Sequence, residues 1–103
     1  MTREEAEIYC EEIGANPLYA NGYDDCIIGV GRIFHDYKII YDTNKILHKM
    51  VEEQGMTTEE AIEFYEYNMV GAYMGEGTPI FLENHNEQWA VKQNKRNMET
   101  KSR

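Results

Sequence analysis

The sequence lacks an apolar run long enough to cross a bilayer, and it is poor in cysteine, proline and serine. A transmembrane helix needs about 20 consecutive apolar residues, and a secretory signal has a basic start followed by an apolar stretch. Here the N-terminus is acidic. The only serine is Ser102, so serine hydrolase chemistry is excluded. We therefore expect a cytoplasmic protein that does not associate with membranes.

The two cysteines, Cys10 and Cys26, are too few for a disulfide framework, and their spacing matches no metal-binding motif. We expect both to be reduced thiols that are buried or half-buried. With 103 residues, 42% of them hydrophobic, the chain is long enough for one folded domain with a single core.

Basic residues are few and unevenly placed. The chain has 19 acidic and 10 basic residues, but residues 1–83 contain 17 acidic and five basic ones, a formal charge of -12. Residues 84–103 carry a charge of +3. We predict a single acidic domain over residues 1–83 and a basic, flexible tail over residues 84–103. Such a domain repels nucleic acids and anionic membranes and attracts a basic protein surface.

Local patterns predict the secondary structure. Thr2 and Glu5 form a capping box that starts a helix over residues 3–13, and Thr57 and Glu60 repeat it before a helix over residues 58–70. Between them we predict a hairpin of strands 26–34 and 38–41 and a helix over residues 44–54. Residues 80–82 form a third strand. The predicted fold is α+β, a small antiparallel sheet of about three strands packed by about three helices, in the order α-β-β-α-α-β.

Asn68 is a polar residue on a predicted apolar face. At 100° per residue it falls among Ala61, Tyr65, Met69 and Ala72. A buried amide must be paired, so we expect Asn68 to bond to backbone in the glycine-bearing strand or the following loop. On this basis Asn68→Ala would cost about 1 to 3 kcal/mol of stability.

Several residues have predicted structural roles. Gly29 and Gly31 flank Val30 after the start of a strand, but no lysine or third glycine completes a phosphate-binding loop. We expect these two glycines to let a helix or Asn68 approach the strand. Gly71 loosens the chain after the helix, and Pro79 suits the first residue of a strand.

Two kinds of catalytic site were considered. A divalent cation could be held near the ends of the hairpin by two of five side chains: Asp24, Asp25, His35, Asp36 and Asp42. Their spacing matches no metal signature. Cys26 and His35 would lie at opposite ends of one strand, and neither His48 nor His85 has a nucleophile at a diagnostic spacing. We predict no catalytic residue, no bound metal and no cofactor.

Exposed carboxylates are the strongest remaining signal. The predicted partner-binding residues are Asp24, Asp25, Glu59, Glu63, Glu66 and Glu76. Rows of carboxylates can imitate the phosphates of a nucleic acid, although an acidic surface that only aids solubility is the simpler interpretation.

Five segments resemble a family of short phage and prophage proteins. They are Tyr23-Asp24, residues 28–31 (IGVG), Tyr41-Asp42, residues 55–61 (GMTTEEA) and residues 68–79 (NMVGAYMGEGTP). The chain also resembles the short type II anti-CRISPR proteins of prophages. This resemblance implies an inhibitor of a host nucleic-acid-guided nuclease, or of its nucleoprotein complex, in the bacterial cytoplasm.

We therefore expect a non-enzymatic inhibitor that binds its target through acidic residues and residues 71–79. One alternative is a phage accessory or regulatory module that binds another protein and is unrelated to defence. A second is a small metal-dependent enzyme using Asp24, Asp25 or Glu76. Self-association into a homo-oligomer stays open.

Overall fold

The computed structural model describes residues 1–83, and the predicted basic tail lies outside the described residues. The elements are α1 (Arg3–Ile13), β1 (Ile27–Ile33), β2 (Asp36–Asp42), α2 (Thr43–Glu52), α3 (Thr58–Tyr65) and β3 (Ile80–Leu82). A 3₁₀ turn (Asp24–Cys26) precedes β1, and a π turn (Glu66–Val70) follows α3. The α+β class and the predicted order of elements are confirmed.

The three strands form one mixed sheet in the order β1-β2-β3. β1 and β2 are antiparallel, with Ile33 opposite Asp36 across the hairpin. β3 pairs in parallel with β2, with Ile40 opposite Ile80. The expectation of a wholly antiparallel sheet is therefore wrong for β3. The two helices between β2 and β3 form a crossover, and the chain then runs beside residues 40–42, the last three residues of β2, in the same direction.

The core lies between the helices and one face of the sheet. It is built from small residues of α1 and larger residues of the sheet, α2 and α3: Ala6, Cys10, Tyr23, Cys26, Ile27, Ile39, Tyr41, Ile46, Leu47, Met50, Ala61 and Tyr65. The ring of Phe81 joins this cluster by packing edge-on against Tyr65, at 5.7 Å between ring centroids. Apolar residues at other sheet positions, Ile28, Ile33, Ile80 and Leu82, are exposed. Only one face of the sheet thus contributes to the core.

The predicted helix starts are confirmed in atomic detail. The Thr2 hydroxyl accepts a hydrogen bond from the Glu5 amide at 3.1 Å, and the Glu5 carboxylate accepts one from the Thr2 amide at 2.9 Å. Thr57 and Glu60 make the same pair of bonds at the start of α3. These bonds satisfy amides that an isolated helix end would leave unpaired.

Asn68 is exposed, so its predicted burial is wrong. The α-helix ends at Tyr65, and the amide of Gly71 bonds to the carbonyl of Glu66, five residues back, at 3.0 Å. In a π turn each residue advances by less than the 100° of an α-helix, so the projection used for Asn68 no longer applies. Ala61 and Tyr65 stay buried because they precede this turn.

The glycines also differ from expectation. A Cβ atom added to Gly29 would meet nothing within 4 Å. One added to Gly31 would lie 3.0 Å from Cδ1 of Ile40 and 3.4 Å from Cδ1 of Ile80. The neighbours of Gly31 are therefore side chains of the adjacent strands, not a helix or Asn68. Gly71 closes the π turn, and a Cβ atom there would lie 3.0 Å from the carbonyl oxygen of Glu66.

Candidate protein-binding site on the third helix and the following loop

One side of α3 and the residue that ends it carry a row of carboxylates, which we call the acidic row: Glu59, Glu63 and Glu66. All three are exposed, and their spacing of four and three residues places them within about 60° of one another around the helix axis. They lie opposite Ala61 and Tyr65, which attach the helix to the core. The helix therefore directs negative charge outward along about two turns.

Asp24 and Asp25 are placed differently from the acidic row. Both lie in the 3₁₀ turn before β1, and both are held by cations. Asp24 pairs with Arg3 of α1 at 3.1 Å, and Asp25 pairs with Lys49 of α2 at 3.0 Å. The Lys49 ammonium lowers the pKa of the Asp25 carboxyl below its ordinary value. These two predicted binding residues are thus partly neutralised by contacts within the protein.

Glu76 is exposed in the loop between the π turn and β3. The backbone around it is anchored to the rest of the fold. The Leu18 amide donates to the Gly77 carbonyl at 3.0 Å, and the Lys38 ammonium donates to the carbonyl of Glu76. Pro79, at the end of the loop, is buried. The loop therefore has fixed contacts at its base while the Glu76 carboxylate faces solvent.

Three large exposed side chains in the π turn and the loop after it were missed by the sequence analysis. Tyr67, Tyr73 and Met74 are exposed by 75%, 74% and 53%. Aromatic residues and methionine are enriched where proteins contact each other. The available signal was the count of eight tyrosines against three phenylalanines. Tyr67 lies in the π turn, which the sequence pattern did not predict, and Tyr73 and Met74 follow it.

A groove of about 530 Å³ is lined by Phe64 and Asn68, among other residues, and we call it the neutral groove. Four segments form it: the loop before the 3₁₀ turn, Gln54 after α2, the end of α3 with the π turn and the residues after it, and the chain around β3. None of the charged side chains in residues 1–83 lines this groove, whose described lining is Tyr19, Ala20, Asn21, Gly22, Tyr23, Gln54, Phe64, Asn68, Met69, Ala72, Met74, Pro79 and Phe81. Asn68 therefore belongs to an uncharged concave surface instead of the core.

Within residues 1–83, four of the residues considered for catalysis, Asp25, Cys26, Asp42 and His48, line one pocket, and His35 is not among its lining residues. No group of three or more histidine, cysteine, aspartate or glutamate residues in residues 1–83 is arranged to hold a metal ion. Cys26 and His35 lie at opposite ends of β1, about 20 Å apart for a seven-residue strand. Burial raises the pKa of the Cys26 thiol to about 12, which opposes formation of a nucleophilic thiolate.

The comparisons with known proteins give no relative for this chain. No family model, no curated protein and no solved structure matches it. Among residues 1–83, no helix has the length and apolarity that a membrane span requires.

Proposed function

We propose that this chain is a non-enzymatic inhibitor that binds a host nucleic-acid-guided defence nuclease, alone or in its nucleoprotein complex. The observation that carries the proposal is the acidic row, which is followed within seven residues by the exposed rings of Tyr67 and Tyr73. Such a target would place the protein in the cytoplasm of the host bacterium. The sequence resemblance to short type II anti-CRISPR proteins supports the same class of target.

The acidic row supplies the electrostatic part of the proposed interaction. A nuclease that holds nucleic acid does so with basic side chains, and these attract carboxylates as they attract phosphates. The formal charge of -12 over residues 1–83 acts in the same direction over a longer range. The acidic row would therefore compete with the nucleic acid for the same basic groove.

The exposed rings supply the second part of the proposed interaction. Charged contacts at the rim of an interface add to the association rate, whereas buried aromatic anchors add most of the affinity. Tyr67 and Tyr73 lie on either side of Gly71, so the π turn and the loop would present them together with the acidic row. The interface would thus combine charge for attraction with apolar area for retention.

The test is a DNA cleavage assay with a guide-loaded type II CRISPR effector and an excess of this protein. We expect wild-type protein to slow cutting, and Glu63→Lys with Glu66→Lys to reduce inhibition by about tenfold or more. Glu11→Lys with Glu12→Lys on α1 is the matched control, because it makes the same change in net charge on another exposed helix. No binding and no slowing of cleavage at excess would reject the proposal.

A second candidate is a protein-binding module of phage origin that is unrelated to defence. It is favoured by Tyr67, Tyr73 and Met74, whose exposed apolar area does not require a basic partner. Affinity capture from a host lysate followed by mass spectrometry separates the candidates. Recovery of a structural or regulatory protein that is lost with Tyr67→Ala or Tyr73→Ala would favour this second function.

A further inference from the structure

The neutral groove differs from the rest of the described surface in its charge. Residues 1–83 contain 22 charged side chains, yet none of them lines the groove. An anionic ligand would find no lysine or arginine there, and a cationic ligand would find no carboxylate. Because a desolvated charge needs a partner of opposite sign, the groove suits an uncharged ligand.

The walls of the groove suit an apolar side chain. Four aromatic rings contribute to the lining, those of Tyr19, Tyr23, Phe64 and Phe81, together with Met69 and Met74. Methionine adapts its shape to different occupants, and aromatic rings offer flat apolar area. The volume of about 530 Å³ lies within the range of about 300 to 1,000 Å³ that is usual for sites binding small ligands.

Asn68 adds a specific polar group to these apolar walls. Its amide carries both a donor and an acceptor, which matches a peptide group, and no hydrogen bond of its side chain occurs within residues 1–83. In contrast, Gln54 in the same lining accepts a hydrogen bond from the Tyr23 hydroxyl at 3.2 Å. The π turn turns Asn68 away from the core, and such turns are frequent at functional sites.

We propose that the neutral groove binds one uncharged apolar residue of a partner polypeptide. Its aromatic or long aliphatic side chain packs on the rings and methionines, and an adjacent peptide group pairs with the Asn68 amide. This inference rests on the proposed function only in taking the partner to be a protein. It identifies a specific anchor in addition to the acidic row, so charge attracts the partner and the groove selects one uncharged residue within it.

The test uses the full ¹⁵N-labelled chain and two uncharged probes, N-acetyl-tryptophanamide and N-acetyl-leucinamide, in a chemical-shift titration. We expect saturable shifts centred on the groove, with dissociation constants in the millimolar range. N-acetyl-tryptophan has the same ring but a free carboxylate, and we expect its affinity to be lower by at least about fivefold. This comparison isolates the effect of ligand charge.

Two variants of Asn68 separate its roles. Asn68→Ala and Asn68→Leu both remove the side-chain amide. Asn68→Leu keeps a side chain of similar size, which is apolar. Loss of one hydrogen bond should weaken both probes about fivefold in each variant. Asn16→Ala is the matched control, because Asn16 is exposed and lies outside the groove lining. Asn68 is itself exposed, so the folded state should survive substitution.

Three results would overturn the inference. They are the absence of saturable shifts up to about 20 mM probe, equal affinity for the charged probe, and a nuclear Overhauser contact from the Trp89 indole to the groove in the free protein. The outcome is distinct from that of the proposed function. A protein that binds the probes but does not slow cleavage would reject the nuclease target alone. A protein that slows cleavage without binding the probes would reject the groove alone.

Discussion

The hydroxyl of Tyr65 connects three parts of the fold. It shares a hydrogen bond of 2.7 Å with the buried Thr43 hydroxyl and donates to the Glu83 carboxylate at 2.9 Å. Tyr65→Phe would leave the Thr43 hydroxyl without this partner, so we expect a loss of about 1 to 3 kcal/mol in the free energy of unfolding. Urea denaturation measures this loss. Tyr67→Phe is the control, because the Tyr67 side chain is 75% exposed. Equal stability of the two variants would contradict the role given to Tyr65.

Because of the raised pKa of Tyr65, we also expect the protein to lose stability at high pH. Burial, reinforced by the Glu83 carboxylate, raises the pKa of Tyr65 above its ordinary value of 10.0. The unfolded chain therefore loses its tyrosine protons at a lower pH than the folded one. The contribution is fully present below about pH 10 and decreases as the pH rises further.

Urea denaturation at pH 8 to about 11 tests this dependence. The free energy of unfolding should fall less steeply for Tyr65→Phe than for wild type, because the variant lacks this ionisation. Burial also raises the pKa of Tyr41, but Tyr41 is present in both proteins and its effect cancels in the comparison. Parallel curves for the two proteins would show that Tyr65 ionises equally easily in both states.

For Asn68→Ala, the structure predicts a smaller loss of stability than the sequence did. Since its side chain is exposed, Asn68→Ala should change the free energy of unfolding by less than about 0.5 kcal/mol. Thermal or urea unfolding of the variant beside wild type measures the change. A loss above 1 kcal/mol would support the buried position that the helical projection predicted.

At the scale of elements, the closing residue of the π turn determines where Asn68 and Tyr67 point. A Cβ atom on Gly71 would lie 3.0 Å from the Glu66 carbonyl oxygen and 3.2 Å from that of Tyr67, so the backbone must shift to accept a side chain. We expect Gly71→Ala to cost about 1 to 3 kcal/mol and to weaken probe binding in the neutral groove. Gly29→Ala is the control, because the added Cβ meets nothing within 4 Å.

Urea denaturation and probe titration of these two glycine variants give the answer together. If Gly71→Ala matches Gly29→Ala in both measurements, the π turn does not position the groove. If Gly71→Ala is destabilised but binds the probes normally, the turn contributes to stability without shaping the site.

The elements that the sequence predicted well are those governed by neighbouring residues. Thr2 with Glu5, and Thr57 with Glu60, lie within one turn, so the capping boxes could be identified directly. The direction of β3 was not predicted correctly, since it depends on the path of α2 and α3 between β2 and β3. The change from α to π geometry after Tyr65 depends on the bond between Gly71 and Glu66 and on the packing of Tyr65, which no periodicity reveals.

At the scale of the molecule, the candidate site was partly predictable for the same reason. Glu59, Glu63 and Glu66 follow helical spacing, so their common face follows from the sequence. The pairing of Asp25 with Lys49 joins residues 24 positions apart, and the neutral groove joins four segments of the chain. Such contacts arise only when the chain folds.

The separation between an acidic row and a neutral groove predicts two responses to salt. Attraction between exposed charges is screened over about 10 Å at 0.1 M salt and over about 3 Å at 1 M. We therefore expect the affinity of a basic partner to fall by about tenfold or more between about 50 and 500 mM NaCl, mainly through slower association. Uncharged probes in the groove should show less than about a twofold change over the same range.

Surface plasmon resonance with the captured partner gives the association rates, and the probe titration repeated at both salt concentrations gives the second response. Glu63→Gln with Glu66→Gln should reduce the salt dependence of the association rate. Glu11→Gln with Glu12→Gln removes the same charge from α1 and should reduce it less. If partner binding does not change with salt, the acidic row does not imitate phosphates. Inhibition would then depend on contacts of Tyr67, Tyr73 and the groove. Equal effects of the two variants would assign the attraction to net charge and not to the acidic row.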